Sequence, residues 1–261
     1  MQINLTGKNA LVGGSSKGIG RAIAERLAAS GANVTVMARN ESLLQQLVNQ
    51  LDTQSGQHHH YLVVDFSNFN AFSSKIEAYF QNNTVDILIN NTQGPAAGGA
   101  LEKRIEDYQR AFDLLFKCAV FTTHLALPHM QKKKWGRIVN VASISVREPL
   151  NYLVLSNSLR AALVTWAKSL SIDIASDNIT INNTLTGYFE TERIAQLNAQ
   201  KAKKMGIPET EVRAAMEANV PSKRIGRPEE YANVVCFLVS EQASYITGTN
   251  IPIDGGLLKS F

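Results

Sequence analysis

The chain has 261 residues, with 26 Lys and Arg against 22 Asp and Glu for a net charge of +4. Its 44% hydrophobic and 18% charged content is that of a folded globular protein and excludes a disordered or fibrous chain. Basic residues are scattered apart from Lys132-Lys133-Lys134 and the run from Lys201 to Lys204, and aromatic residues do not interleave with them, so no nucleic-acid partner is expected.

In chain order, Asn9–Val12 predicts a first strand that breaks into glycines at Gly13, Gly14, Gly18 and Gly20. A helix follows over Ile19–Ala29. Further strands are predicted over Asn33–Ala38, His60–Val64, Val85–Asn90, Arg137–Ala142, Ile179–Leu185 and Ile251–Ile253. Amphipathic helices fall between them, over Ser42–Leu51, Phe69–Phe80, Glu106–Gln131, Ser156–Ser171 and Glu229–Val239. Near-continuous apolar strands alternating with helices give an α/β fold. The expectation is a single-domain, doubly wound, Rossmann-type parallel sheet of about seven strands with helices on both faces, over residues 1–261. Residues 191–218 are helical, polar and broken at Gly206-Ile207-Pro208, and read as a helical excursion or a lid. Cys118 and Cys236 lie far apart in apolar helical runs and predict buried free thiols. Met1–Gly7 lacks an apolar signal core and no apolar run approaches membrane-spanning length, so a cytoplasmic protein without a membrane partner is expected. Adjacent histidines at His58-His59-His60 share no face, and no metal is expected.

A strand, a glycine-rich turn and a helix start together suit a pyrophosphate. Glycine admits positive φ and close approach, and the helix end offers unpaired N–H groups and partial positive charge. Gly14, Ser16, Lys17, Gly18, Ile19 and Gly20 are the candidate binding residues of this turn. Arg39 follows the second strand, where a dinucleotide's adenosine ribose falls. A guanidinium there matches a 2′-phosphate, with Lys17 as a second charge, so NADP(H) is preferred over a possible NAD(H). Asp65 and Phe66 at the end of the third strand, and Asn90 at the end of the fourth, complete the expected nucleotide contacts.

These segments resemble the short-chain dehydrogenase/reductase family, most of all its β-ketoacyl-acyl-carrier-protein-reductase-like members. Gly14-x-x-x-Gly18-x-Gly20 resembles the family's nucleotide turn, with Gly13 where Thr is common. Asn90-Asn91-Thr92-Gln93-Gly94 resembles its Asn-Asn-Ala-Gly motif with one residue extra, and Gly136–Ser143 resembles the strand that ends in the catalytic serine. Gly187–Thr191 resembles the stretch facing the nicotinamide, adding Gly187 and Thr191 to the cofactor residues, with Thr186 in place of a proline. Arg224–Glu230, Tyr245–Gly248 and Asp254–Gly256 resemble the C-terminal third. The resemblance implies an oxidoreductase acting on a carbonyl or alcohol, with a 3-oxoacyl thioester among the candidates, and a homo-oligomer, dimer or tetramer.

The catalytic positions depart from the family. Ser143 matches the serine that holds the carbonyl oxygen. The family's tyrosine position falls on Ser156, its lysine position on Arg160, and its asparagine position on Leu115. Ser156 is a far weaker acid than a phenol, and Arg160 stays protonated. Tyr152, one helical turn before Ser156, is a substitute acid or a pocket-lining residue. Ser143, Ser156, Arg160 and Tyr152 are thus the catalytic candidates. Two alternatives stay open: a catalytically degenerate nucleotide-binding pseudoenzyme, and a non-redox enzyme on the same fold.

Overall fold

Seven short runs rich in Val, Ile and Leu pair into one all-parallel sheet in the computed structural model, which describes residues 3–260; Met1, Gln2 and Phe261 lie outside it. The strands are β1 (Asn9–Gly13), β2 (Asn33–Ala38), β3 (His60–Val63), β4 (Ile87–Asn90), β5 (Gly136–Val141), β6 (Ile179–Thr186) and β7 (Asn250–Ile253), in the order β3-β2-β1-β4-β5-β6-β7. Each predicted strand is present, and the doubly wound α/β fold expected from the sequence is the observed one.

Alternation along each strand divides the core in two. Ala10 and Val12 face a cluster with Ile23 and Leu27 of α1 (Gly18–Ala28), Leu44 and Leu47 of α2 (Glu41–Gln50), and Tyr231 and Val235 of α9 (Pro228–Leu238). Leu11 faces the other, with Phe72 and Ile76 of α3 (Phe69–Asn82), Met130 of α5 (Cys118–Lys133) and Ala167 of α6 (Val154–Ile174). The chain runs outward from β1 to β3 and then returns to β4 beside β1. That reversal opens a crevice at the carboxyl ends of β1 and β4, the place where such sheets hold ligands.

One polar feature crosses the sheet. Asn90 of β4, Asn140 of β5, Asn183 of β6 and Asn250 of β7 stand in register. Asn90 Nδ2 donates to Asn140 Oδ1 at 2.9 Å, Asn140 Nδ2 to Asn183 Oδ1 at 2.9 Å, and Asn183 Nδ2 to Asn250 Oδ1 at 2.8 Å. Asn140 and Asn183 are fully buried, and the ladder satisfies amides that would otherwise be costly there.

The helix expected over Glu106–Gln131 is instead three pieces. α4 (Ile105–Phe112) and α5 are joined by a π-helical turn at Asp113–Lys117, where the Cys118 N–H donates to the Asp113 carbonyl five residues back. Within the joined segment Ile105–Lys133 an 18-residue stretch reaches a mean hydropathy of 1.2, which by length and composition alone is enough to cross a membrane, contrary to the expectation that no run approaches that length. Its Leu114, Leu115, Cys118, Ala126 and Met130 pack instead into the second core cluster, which accounts for its apolarity. Cys118 and Cys236 are buried free thiols, as expected. The 191–218 region forms α7 (Glu192–Met205) and α8 (Glu209–Asn219), outside the sheet.

Candidate active site

The glycine turn closes on β4. Gly14 and Gly18 hold φ of +55° and +56°, a left-handed backbone that glycine adopts at little cost. A Cβ on Gly20 would stand 2.7 Å from Asn91 Nδ2 and 2.8 Å from the Gly14 carbonyl carbon. Asn91 Nδ2 itself donates to the Gly13 carbonyl at 3.0 Å, which fixes the turn to the end of β4. Ser15 Oγ donates to the Val12 carbonyl and accepts from the Met37 amide, tying the turn to β2. Lys17 precedes α1 with no side-chain cap and no acidic residue follows in the first turn, so the first N–H groups keep their donor capacity. A glycine-lined turn that excludes side chains and ends in a bare helix start fits a dinucleotide pyrophosphate.

The other cofactor candidates gather around this turn. Arg39 is exposed beyond β2 and acts on Asp65, whose pKa lies below the ordinary range. Burial raises that pKa, but the Ser67 hydroxyl and amide on Oδ1, and the charge of Arg39, outweigh it. Phe66 is buried against Phe72, with ring centroids 5.1 Å apart, so its side chain belongs to the core and to the wall of the cavity beside it. Lys17 does not stand free beside Arg39: its Nζ pairs with Glu192 Oε1 at 2.6 Å. Thr191 caps α7, and its methyl lies 3.1 Å from where a Gly18 Cβ would be. Gly187 passes so near β7 that a Cβ would stand 2.6 Å from Asp254 Cα. Ser16 and Ile19 are half-buried on the same turn.

The catalytic candidates collect at the end of β5. Ser143 caps the short 3₁₀ turn Ile144–Val146, its Oγ accepting from the Ser145 amide at 3.1 Å. Arg160 of α6 is 9% exposed and donates from Nη1 to the Val141 carbonyl, two residues before Ser143. Ser156 lies one turn earlier on the same face of α6 and is half-buried. A cavity of about 20 Å³ joins Arg160 and Val141 to Asn90, Thr122 and Leu115. That is room for one water among several polar groups. Leu115 lies in the π turn, so its buried side chain occupies the position that the sequence matched to the family's asparagine. Such turns inside helices are frequent at functional sites.

Tyr152 precedes α6 and is 41% exposed. Burial first, and then the neighbouring Tyr188 hydroxyl, push its phenol up to about 12. That is the wrong direction for a proton donor matched to neutral pH. Desolvation lowers Arg160 to about 10, which leaves it charged at neutral pH.

A family model described as Enoyl-(Acyl carrier protein) reductase matches residues 14–258. The chain is 31% identical to the 3-oxoacyl-[acyl-carrier-protein] reductase of Aquifex aeolicus, over 98% of this chain and 100% of that protein. The chain belongs to the short-chain dehydrogenase/reductase family. It is likewise 31% identical to the NADPH-dependent reductase BacG of Bacillus subtilis, over 97% of this chain and 98% of that one. Among solved structures, the L-sorbose reductase of Gluconobacter frateurii, complexed with NADPH and L-sorbose, superposes with a TM-score of 0.92 at 31% identity over the whole of both chains. The oxidoreductase and NADP(H) expectations drawn from the sequence stand with these relatives.

Two participants were not singled out in the sequence. Arg193 of α7 donates from Nη2 to the Pro95 carbonyl at 2.8 Å and lies against Gly94. Tyr231 of α9 is fully buried and bonds Thr184 Oγ1 at 2.6 Å and Thr186 Oγ1 at 2.9 Å. Thr186 is thereby tied into the fold where the family has its proline. An arginine two residues after Thr191 was the available signal for the first; the second needed the packing of α9 on β6.

Proposed function

We propose that this protein is an NADP(H)-dependent reductase of a small carbonyl compound, with Ser143 holding the carbonyl oxygen and Arg160 supplying positive charge beside it. The observation that carries this reading is the buried Arg160 guanidinium bonded to the Val141 carbonyl, two residues from Ser143. NADP(H), when bound, would supply the hydride. Gly14, Gly18 and Gly20 with the α1 amides hold its pyrophosphate, Arg39 the 2′-phosphate, and Asn90, Gly187 and Thr191 the nicotinamide half. As negative charge grows on the carbonyl oxygen, the Ser143 hydroxyl donates to it and the nearby guanidinium lowers its energy in a site of low dielectric. The phenol at Tyr152 and the hydroxyl at Ser156 are both poor acids near neutral pH, so the proton comes from water held in the polar cavity by Arg160 and Asn90, and the hydroxide left behind takes a proton from bulk solvent. Tyr152 lines the mouth with Tyr188. α7 and α8 act as a lid, latched to the glycine turn through Lys17–Glu192.

The test is NADPH oxidation, followed by absorbance, against a panel of ketones, oxo acids and acetoacetyl thioesters. Ser143→Ala should lower kcat by about 10²-fold or more, and Tyr152→Phe should leave it within about twofold, as a mouth residue would. NADPH binding with no turnover on any carbonyl defeats this reading and favours the non-catalytic one, which the apolar Leu115 supports. The stacked Phe112 and Phe116, with Trp166 edge-on to Phe116, form an apolar strip on α4, the π turn and α6 suited to a homo-oligomer contact. Light scattering would read that assembly.

A further inference from the structure

Two arginines flank the segment that leaves β4. Arg160 lines the cavity with Asn90, Asn91 and Thr92, and Arg193 stands three to four residues further along, against Gly94 and Pro95. Each makes one hydrogen bond among the described residues, to a backbone carbonyl, and neither has a carboxylate partner there. A guanidinium carries five N–H donors, and removing it from water without a counter-charge is expensive.

The nearby acids are already engaged. Glu192 pairs with Lys17 at 2.6 Å, Glu190 with Arg213 at 2.6 Å, and Asp254 accepts from the Gly256 and Leu258 amides. Desolvation lowers both arginines; at Arg160 the Tyr231 hydroxyl opposes that shift and the charge of Arg193 adds to it. The cofactor's phosphates have their own donors, in the glycine turn and at Arg39. Guanidiniums without a counter-charge along the segment that leaves β4 match a planar or tetrahedral anion.

We infer that the carbonyl substrate carries an anionic group, carboxylate or phosphate, held by Arg193, with the charge of Arg160 adding a longer-range attraction. This rests on the reductase reading above and narrows its substrate class. It sets this chain apart from its relatives named for L-sorbose and for acyl-carrier-protein thioesters. Holding the anion there also fixes the carbonyl's distance from Ser143, so binding and orientation come from the same contact.

The experiment compares acetoacetate with ethyl acetoacetate, and dihydroxyacetone phosphate with dihydroxyacetone, as NADPH-linked substrates of the wild type and of Arg193→Gln. Preference for an anionic member, with its KM raised at least about tenfold in Arg193→Gln while KM for the neutral member is unmoved, supports the inference. The preferred pair tells carboxylate from phosphate. Equal use of charged and neutral members, or an equal effect of the variant on both, overturns the inference and leaves the reductase reading intact. A matching loss of NADPH affinity in Arg193→Gln also overturns it, since Arg193 then serves the cofactor. Calorimetric titration of the NADP⁺-loaded protein with malonate and with inorganic phosphate reads the site without turnover. Binding that weakens at least about tenfold in Arg193→Gln supports the anion site even if the reductase reading fails, and absence of binding to the wild type overturns it.

Discussion

Gly20→Ala tests the glycine turn most directly. The added methyl meets the Gly14 carbonyl carbon at 2.8 Å and Asn91 Nδ2 at 2.7 Å, and it comes closer still to the Gly14 carbonyl oxygen. An ordinary carbon contact is about 3.5 Å, so the Gly14 backbone must retreat by at least about 0.7 Å. Asn91 cannot give way easily, because its amide is bonded to the Gly13 carbonyl. Overpacking of this kind costs about 1–3 kcal/mol, and the alanine returns about 1 kcal/mol of helix propensity. The net loss of up to about 2 kcal/mol lowers Tm by no more than about 8 °C for a chain of this size. The cofactor suffers more. Displacing one amide donor from a phosphate removes about 1.5–3 kcal/mol, a Kd for NADPH higher by about 10- to 150-fold. Fluorescence titration and a thermal melt read the two quantities. An unchanged Kd beside the expected fall in Tm would refute the assignment of this turn to the dinucleotide.

Other outcomes follow from neighbouring features. Arg39→Ser should weaken NADPH at least about tenfold and leave NADH within about twofold, read by the same titration. Asn140→Ala removes the middle of the asparagine ladder, strands Asn183 Oδ1 and weakens the hold on Asn90, and should cost about 2–4 kcal/mol in urea unfolding; a loss below about 1 kcal/mol would show the ladder to be energetically idle. Glu230 accepts from both arms of Arg224 at 2.7 Å and from the Arg227 amide at 2.8 Å. The Arg224 side chain and the Arg227 amide hold its carboxyl down at about 2, from an ordinary 4.5. Its contribution is therefore complete above pH 4.5 and is lost as pH falls towards 2. Glu230→Gln should flatten the acid limb of the stability curve, by no more than about 1 kcal/mol for so solvated a pair.

The alternation of strand and helix was legible because parallel strands buried on both faces are written as short unbroken apolar runs. Their order in the sheet was not, since an apolar run does not say which neighbour it pairs with. The π turn at Asp113–Lys117 was not legible, since the apolar spacing from Ala111 to Met130 continues through it without a breaker. The glycine turn could be read residue by residue, because each glycine answers a local steric demand. Lys17 could not be placed as readily: its partner Glu192 is 175 residues away, and only the folded chain decides which way a flexible ammonium turns. Arg193 was hidden for the same reason, being defined by what it lies against rather than by its neighbours in sequence. The asparagines at 90, 140, 183 and 250 look unrelated until register aligns them.

An amide has a head and a tail, and a row of them can point only one way at a time. In the row from Asn90 to Asn250 every Nδ2 faces the β7 edge of the sheet and every acceptor faces back. Turning one amide over would set donor against donor on one side and acceptor against acceptor on the other, so the row reverses as a whole or not at all. Asn90 Nδ2 is committed twice, to Asn140 and to Thr123 at 3.1 Å. What remains to Asn90 at the cavity is its carbonyl oxygen. The polarity that a ligand hydroxyl or water meets there is thus set by an edge strand three strands away.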